Sequence, residues 1–330
     1  LIRFEKVTKV YPDGTQAVKE ISLSIKKGEF FVFIGESGCG KTTTLKLINR
    51  LIDLTSGSIK INDKPILDYH IDELRWNIGY VLQQIALFPH LTVAENISVV
   101  PELKKWKKEK INQRIDELLE MVGLDPSVYR DRKPKELSGG EQQRVGVLRA
   151  LAADPDIILM DEPFSALDPL SREKLQDDLL QLKNKIQKTI VFITHDMKEA
   201  LKLGDRIGVM KSGQLIQVDS PEELLLNPKN DFVESILQTQ REDTLLSKSL
   251  ESILNQIDLE PIESKASLNE ALIRSSDVLI TEVLILLMEN KEIYVERNGR
   301  LLGAFSQKGL KHYLTNRRRG DHDILSKRFS

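Results

Sequence analysis

The stretch Gly35-Glu36-Ser37-Gly38-Cys39-Gly40-Lys41-Thr42 constrains this chain more than any other. It has the G-x-x-x-x-G-K-T spacing of a phosphate-binding loop. The apolar run Phe30–Ile34 precedes it, and Thr43–Ile48 follows with helix-like spacing of apolar residues. The glycines therefore fall between a buried strand and a helix start. Glycine lets the backbone curl so that successive N–H groups point inward around phosphate oxygens. A helix opening at Lys41 adds the positive end of its dipole. Lys41 would reach the β- and γ-phosphates, and Thr42 would ligate Mg²⁺. The competing reading is a glycine-rich turn without chemistry; the flanking strand and helix weigh against it.

Around this loop the chain alternates strand and helix. Ile2–Val7 and Ile21–Ile25 alternate apolar and polar residues on either side of a turn at Tyr11–Gly14, which reads as a hairpin-like region. Ile157–Met160 and Thr189–Ile193 are continuous apolar strands, as in a parallel sheet buried on both faces. Ser171–Ile186 between them reads as a helix. From about Lys104 to Val122, helical spacing puts Ile111, Ile115, Leu118, Leu119 and Val122 on one face. The expected class is α/β, with a helical insertion over about 84–152. A polar stretch at Gln238–Asp243 separates a first domain, 1–235, from a smaller one of mixed helix and strand, 236–330.

Ligands of open α/β sheets bind beyond the carboxyl ends of the strands. Asp161 and Glu162 follow one apolar strand and His195 ends another, so all should reach the edge from which the glycine loop leaves. Asp161 suits Mg²⁺, directly or through water. Glu162 suits a base that polarises an attacking water, and His195 could touch the γ-phosphate and hold that water. A solvated Asp-Glu pair and a structural histidine are the plainer alternatives. A second glycine-rich stretch, Leu137-Ser138-Gly139-Gly140-Glu141-Gln142-Gln143-Arg144, offers another anion site at a helix N-terminus. Ser138 with Glu141 also forms a capping box, and both readings can hold together.

"GESGCGKT", "LSGGEQQR", "IILMDEP", "SALD" and "THD" follow one another in this order. Over roughly residues 1–235 the chain resembles the ATPase subunit of an ATP-binding cassette (ABC) transporter. The resemblance implies a RecA-like core with an antiparallel β-subdomain and a helical subdomain. It implies ATP and Mg²⁺ as ligands, bound along Gly35–Thr43. It assigns Tyr11 to adenine stacking and Gln83 to Mg²⁺ and to sensing of the membrane subunit. It assigns Asp168 to the loop after the catalytic strand and His195 to the switch position. It further implies two chains sandwiching two ATP molecules head to tail, with Ser138, Gly139 and Gly140 of one facing the γ-phosphate held by Lys41 of the other. The expected partners are a second copy of the chain, integral membrane permease subunits and an extracytoplasmic substrate-binding protein, with the chain itself peripheral on the cytoplasmic membrane face.

Composition bears on what is excluded. A formal net charge of −2 over 330 residues argues against a dedicated nucleic-acid binder. Cys39 is the one cysteine, so no intramolecular disulfide forms; its place in the phosphate loop makes it a modification target. No run reaches the ~20 apolar residues of a membrane-spanning helix. No basic-then-apolar signal segment opens the sequence.

"GYVLQQIALFPHLTVAENISVVPELKKW" and "GVLRALAADPDIILMDEPFSALDPLSR" resemble bacterial importers of quaternary amines: glycine betaine, carnitine, choline and proline betaine. The tail supports that branch. "SLNEALIRSSD" reads as helix, and "EIYVERNGRLLGAFSQKGLKHYL" as strand, Asn298-Gly299 turn, strand and helix. This is similar to a single, degenerate CBS module, with 243–262 as a remnant of another. Nucleotide binding and plain dimerisation are both open for it. Arg317–Arg319 with Lys308 and Lys311 form a basic patch that is either solvated surface or a salt-sensitive dock for anionic lipid. An importer ATPase for another small solute (amino acid, polyamine or sugar) and a soluble cassette ATPase are the alternative functions.

Overall fold

The structure, a computed structural model, describes residues 1–244 and, beyond them, 249–251, 254, 257, 259–260, 273–276, 278, 283, 286–287 and 292–309. The chain divides into two compact units, Leu1–Ile236 and Leu237–Ser330.

In the first unit, β1 (Ile2–Val10) and β2 (Gln16–Ile25) pair antiparallel and run further than the alternating segments alone indicate. Bulges break the strict alternation: the register shifts along the pair, and Lys6 and Glu20 take φ of 47° and 48°. β3 (Phe30–Ile34) is buried along its whole length, as a central parallel strand must be. It leads through the glycine loop into α1 (Lys41–Ile48). β4 (Ser56–Ile61) and β5 (Lys64–Pro65) turn at Asn62-Asp63, where φ is 51° and 62°, the left-handed pair that tight hairpins favour. They complete a four-stranded sheet in the order β2-β1-β4-β5.

α2 (Ile71–Trp76) precedes β6 (Ile78–Val81). Four helices follow: α3 (Val93–Leu103), α4 (Lys108–Met121), α5 (Pro126–Tyr129) and α6 (Gly139–Leu151). The helix expected from about Lys104 begins at Lys108. The chain ends α3 at Leu103 and turns through Lys105 at φ 56°, which interrupts the helical path. Ile111, Ile115, Leu118 and Leu119 of α4 are buried on one face. The rest alternates: β7 (Ile157–Asp161), α7 (Pro169–Ile186), β8 (Thr189–Thr194), α8 (Met197–Leu203), β9 (Arg206–Lys211), β10 (Gln214–Asp219), α9 (Pro221–Leu226) and α10 (Asp231–Thr244).

The main sheet has the order β10-β9-β3-β8-β7-β6, parallel except for β10. Its core is continuous with that of the antiparallel sheet. Leu45, Leu47 and Ile48 of α1 cluster with Phe31 and Phe33 of β3 and with Ile2, Phe4, Ile21 and Ile59 of the smaller sheet. The helix that opens at the glycine loop is thus built into the same core as both sheets.

In the second unit, β11 (Ile273–Ser275), β12 (Glu292–Arg297) and β13 (Arg300–Ser306) form a sheet around central β12. Asn298-Gly299 makes the expected hairpin turn, with φ of 50° and 76°. Of the segment 267–277 expected to be helical, Ile273–Ser275 form β11 instead, and 267–272 lie outside the described residues. Parallel pairing of Ile273 with Tyr294 and Ser275 with Glu296 overrides the local helical preference. Leu250, Val283, Leu287, Ile293, Val295 and Phe305 form a small core. Arg317–Arg319, Lys311 and most of the proposed CBS remnant lie outside the described residues. Among the described residues, no helix is long and apolar enough to cross a membrane.

Candidate active site

The register of the parallel strands brings the candidate residues to one edge. Ile34 of β3 stands beside Thr194 of β8, Asp161 of β7 beside Ile193, and Val81 of β6 beside Met160. The glycine loop, Gln83, Glu162 and His195 all leave from these carboxyl ends. Gln83 is exposed two residues beyond β6.

The loop itself is closely fitted. Gly40 takes φ of 106°, and a Cβ there would lie 2.2 Å from the Ala17 carbonyl oxygen of β2. Only glycine meets both conditions. Glu36, Ser37 and Gly38 are exposed at the loop tip, while Gly35, Cys39 and Lys41 are buried. The Lys41 ammonium donates to the carbonyls of Gly35 at 2.7 Å and Glu36 at 2.9 Å. α1 has no side-chain cap and no acidic residue in its first turn, so its N-terminal amides are not engaged by any side chain of the helix start. Tyr11, in the β1–β2 turn, brings its hydroxyl to 3.4 Å from the Thr43 hydroxyl. Burial pushes the Cys39 thiol up, against the nearby Lys41 charge. A thiol held protonated is a weak nucleophile, so Cys39 is a poorer modification target than its sequence position suggests.

The Thr42 hydroxyl donates to Asp161 Oδ1 at 2.9 Å. Burial raises the Asp161 carboxyl; the Thr42 bond opposes this, the Glu162 charge adds to it, and the charges of Lys46 and Lys41 oppose it. The buried Tyr80 hydroxyl faces the same carboxyl without an aligned hydrogen bond. Burial and then the Asp161 charge push that phenol well above its usual range. One residue on, Glu162 takes φ of 43° and its N–H donates to the Ile193 carbonyl at 3.1 Å. Glu162 Oε2 lies 3.1 Å from His195 Nδ1.

The second glycine stretch opens α6. Ser138 accepts from the Glu141 N–H at 3.4 Å, and Glu141 Oε2 accepts from the Ser138 N–H at 2.7 Å and its hydroxyl at 2.8 Å. The Tyr129 hydroxyl donates to Glu141 Oε1 at 2.7 Å. Burial acts to raise the Glu141 carboxyl, but the bonds from Tyr129 and Ser138 win and hold it low. A Cβ on Gly140 would come within 3.2 Å of Ser171 in the first turn of α7, and one on Gly139 would lie 3.9 Å from Leu167. Exposed Asp168 caps α7, with Oδ1 accepting from the Ser171 N–H at 3.0 Å. Ser138–Gly140 and Asp168 therefore form one corner, while Tyr11, Lys41, Thr42, Asp161, Glu162 and His195 form another. Among the described residues, no hydrogen bond or ion pair joins Ser138–Gly140 to Gly35–Thr42.

Sequence reasoning missed Tyr80, Tyr129 and the buried Thr194–Glu199 pair behind His195. Their partners are distant in sequence or on another element. Only Glu199 carried a local signal, as a carboxylate in the first turn of the helix after His195.

Comparison with known proteins bears on this geometry. The family profile described as ABC transporter matches residues 18–165. A glycine betaine/carnitine/choline transport ATP-binding protein of Bacillus subtilis is 48% identical over 92% of this chain and 77% of its own length. A carnitine transport ATP-binding protein of Listeria monocytogenes is 55% identical over 73% of this chain; the match spans 60% of that relative. A dimeric ATP-binding cassette solved in a post-hydrolysis state with ADP and phosphate matches with a TM-score of 0.60 at 38% identity, over 67% of this chain and 99% of that one. A component of an ABC transporter complex from Clostridium perfringens matches with a TM-score of 0.64 at 30% identity, over 73% of this chain and 96% of that one. The chain belongs to the ABC transporter family, as one of its ATP-hydrolysing cassettes.

Proposed function

We propose that the chain hydrolyses ATP to drive uptake of quaternary-amine osmoprotectants: glycine betaine, carnitine, choline or proline betaine. The observation that carries the ATPase part is the convergence of Lys41, Thr42, Asp161, Glu162 and His195 on one strand edge. The cargo rests on relatives named for glycine betaine, carnitine and choline transport at 48–55% identity.

The residues fit the ligands. Lys41 turns its ammonium into the loop, where phosphate oxygens can replace the carbonyls of Gly35 and Glu36. Thr42 and Asp161 form an oxygen pair beside it, and a hard dication would reverse the effect of burial on the Asp161 carboxyl. When bound, Mg²⁺ neutralises charge on the β- and γ-phosphates. Gln83 would complete the metal shell from β6, and Tyr11 would stack on the adenine. Glu162 accepts the proton of an attacking water, and His195 holds Glu162 and the γ-phosphate in register.

The chain works as a head-to-tail homodimer. Ser138, Gly139 and Gly140 of one copy meet the γ-phosphate held by the other, with Asp168 beside them. ATP closes the pair, and loss of the γ-phosphate opens it. Permease subunits dock on the cytoplasmic face of the membrane, near Gln83 and the helices that follow, and an extracytoplasmic binding protein supplies the cargo. The second unit acts as a degenerate CBS-like module for dimerisation or regulation, with nucleotide or anionic lipid as its candidate ligands.

The test is ATPase activity of the complex co-purified with this chain, in liposomes. Glycine betaine, carnitine, choline, maltose and spermidine are each supplied with the complex's own binding protein. Stimulation by the quaternary amines alone supports the proposal. Stimulation by sugar or polyamine overturns the cargo, and absence of any membrane partner overturns the transport role.

A further inference from the structure

His195 is 63% exposed in its side chain, so packing does not hold it in place. The turn that carries it is held instead. Thr194, the last residue of β8, accepts from the Asp196 N–H at 2.9 Å through its side-chain oxygen. Its hydroxyl proton goes to Glu199 Oε2. Asp196 in turn caps α8, with Oδ1 accepting from the Lys198 N–H at 2.7 Å. The residues on both sides of His195 are therefore tied to one hydroxyl.

A hydroxyl has a single proton and rotates to suit its partners. The acceptor on Glu199 fixes that rotation and leaves a lone pair aimed at the Asp196 amide. Glu199 is 5% exposed, and a carboxylate so placed is costly unless it has work for its oxygens. Around it stand Arg172 from α7, His195, and Asp196 from its own helix start. Burial raises the Glu199 carboxyl, the Thr194 bond lowers it, Asp196 raises it, and the Arg172 and His195 charges lower it. Glu162, Ser165, Arg172, Thr194, His195 and Glu199 line one small cavity. The buried carboxylate thus lies directly behind the Glu162–His195 contact.

We propose that Glu199 is a positioning residue for ATP hydrolysis: through Thr194 it sets the 194–196 turn, and so holds His195 Nδ1 against Glu162 Oε2. This rests on Glu162 and His195 being the hydrolytic pair. Thr194 is the intermediate link, and neither Thr194 nor Glu199 touches the reacting atoms.

The test is steady-state ATPase kinetics of the full chain. Glu199→Ala and Thr194→Val should each lower kcat by about 10- to 100-fold, the loss that follows from misplacing a reacting group by about an ångström. The KM for ATP should move by less than about twofold, because the phosphate loop is untouched. Glu199→Gln keeps an acceptor for Thr194 and should recover most of the kcat. The double variant should fall no further than the worse single one, since both break the same link. Unchanged kcat in Thr194→Val, multiplying losses in the double variant, or a loss in Glu199→Gln equal to that in Glu199→Ala would overturn the role. If Glu199→Ala fails to fold, Thr194→Val and Glu199→Gln carry the test. Glu162→Gln measured alongside separates the two levels. Retained turnover there removes the hydrolytic pair itself, whereas lost turnover beside an unaffected Thr194→Val removes only the part assigned to Glu199.

Discussion

The two glycine-rich helix starts, at α1 and α6, are opposites. α1 opens on Gly40 with no side-chain cap and no acidic residue in its first turn, and a buried lysine supplies the positive charge. α6 opens on Ser138 inside a closed capping box, with Glu141 on both the backbone and the hydroxyl of Ser138 and Tyr129 bracing Glu141. The first start leaves its amides for a ligand. The second satisfies itself within one chain and carries a carboxylate where an anion would approach. In the proposed head-to-tail dimer, a phosphate would be held at α1 by a single chain, and α6 would contribute when the second chain's phosphate draws the Ser138 hydroxyl from Glu141.

The largest effect expected from this contrast is at Lys41. Lys41→Ala should weaken nucleotide binding by about 100-fold or more, the worth of charge-assisted bonds to phosphate, in a fluorescent-nucleotide titration. Ser138→Ala in the same titration should bind as the parent does. Equal losses in the two variants would erase the asymmetry. Asp161→Asn comes next. It should cut ATPase activity by about 100-fold, as loss of an electrostatic element in the site does. It should also raise the thermal midpoint of the nucleotide-free chain. The sign follows from burial: a carboxyl whose folded pKa is raised is protonated more readily when folded, so its charge opposes folding increasingly as pH climbs above the unfolded value. The stabilisation by Asp161→Asn should accordingly shrink toward acid pH, and a gain independent of pH would contradict it.

Smaller effects sharpen the picture. Glu141→Ala removes the box at α6 and should cost about 1 kcal/mol in denaturant unfolding while leaving nucleotide binding by a single chain unchanged. The smallest is at Cys39. Its buried, raised thiol should react slowly with an alkylating reagent at neutral pH, faster as pH rises past the ordinary thiol range, and more slowly again with ATP present. Rapid labelling at neutral pH would mean that the loop at α1 opens more than its contacts indicate.

The same contrast marks what sequence can disclose. The strand before Gly35, the helix at Lys41 and the Ser138–Glu141 box were legible because each is a local pattern of period, glycine spacing or capping. So was the shared edge of Asp161 and His195, because parallel strands end together. A capping box of the same form, Thr92 with Glu95, opens α3 and was not read from the sequence, and Pro101 is accepted in the last turn of that helix. The Ala17 carbonyl against Gly40 and Tyr129 on Glu141 were not legible, since each depends on tertiary packing between elements that no periodicity connects, and of Glu199 on Thr194 only the carboxylate's place in the first turn of α8 was. In the second unit, β11 emerged where the local pattern reads as helix, because a central strand recruited it.

The most direct measurement is the oligomeric state of Glu162→Gln by light scattering with Mg²⁺ and either ATP or ADP. Binding at α1 and completion at α6 of a second chain predict a stable dimer with ATP and a monomer with ADP. Adding Ser138→Arg to the same variant should abolish the ATP dimer without loss of nucleotide binding. A chain that remains monomeric with ATP, or a dimer indifferent to the γ-phosphate and to Ser138, would contradict the account.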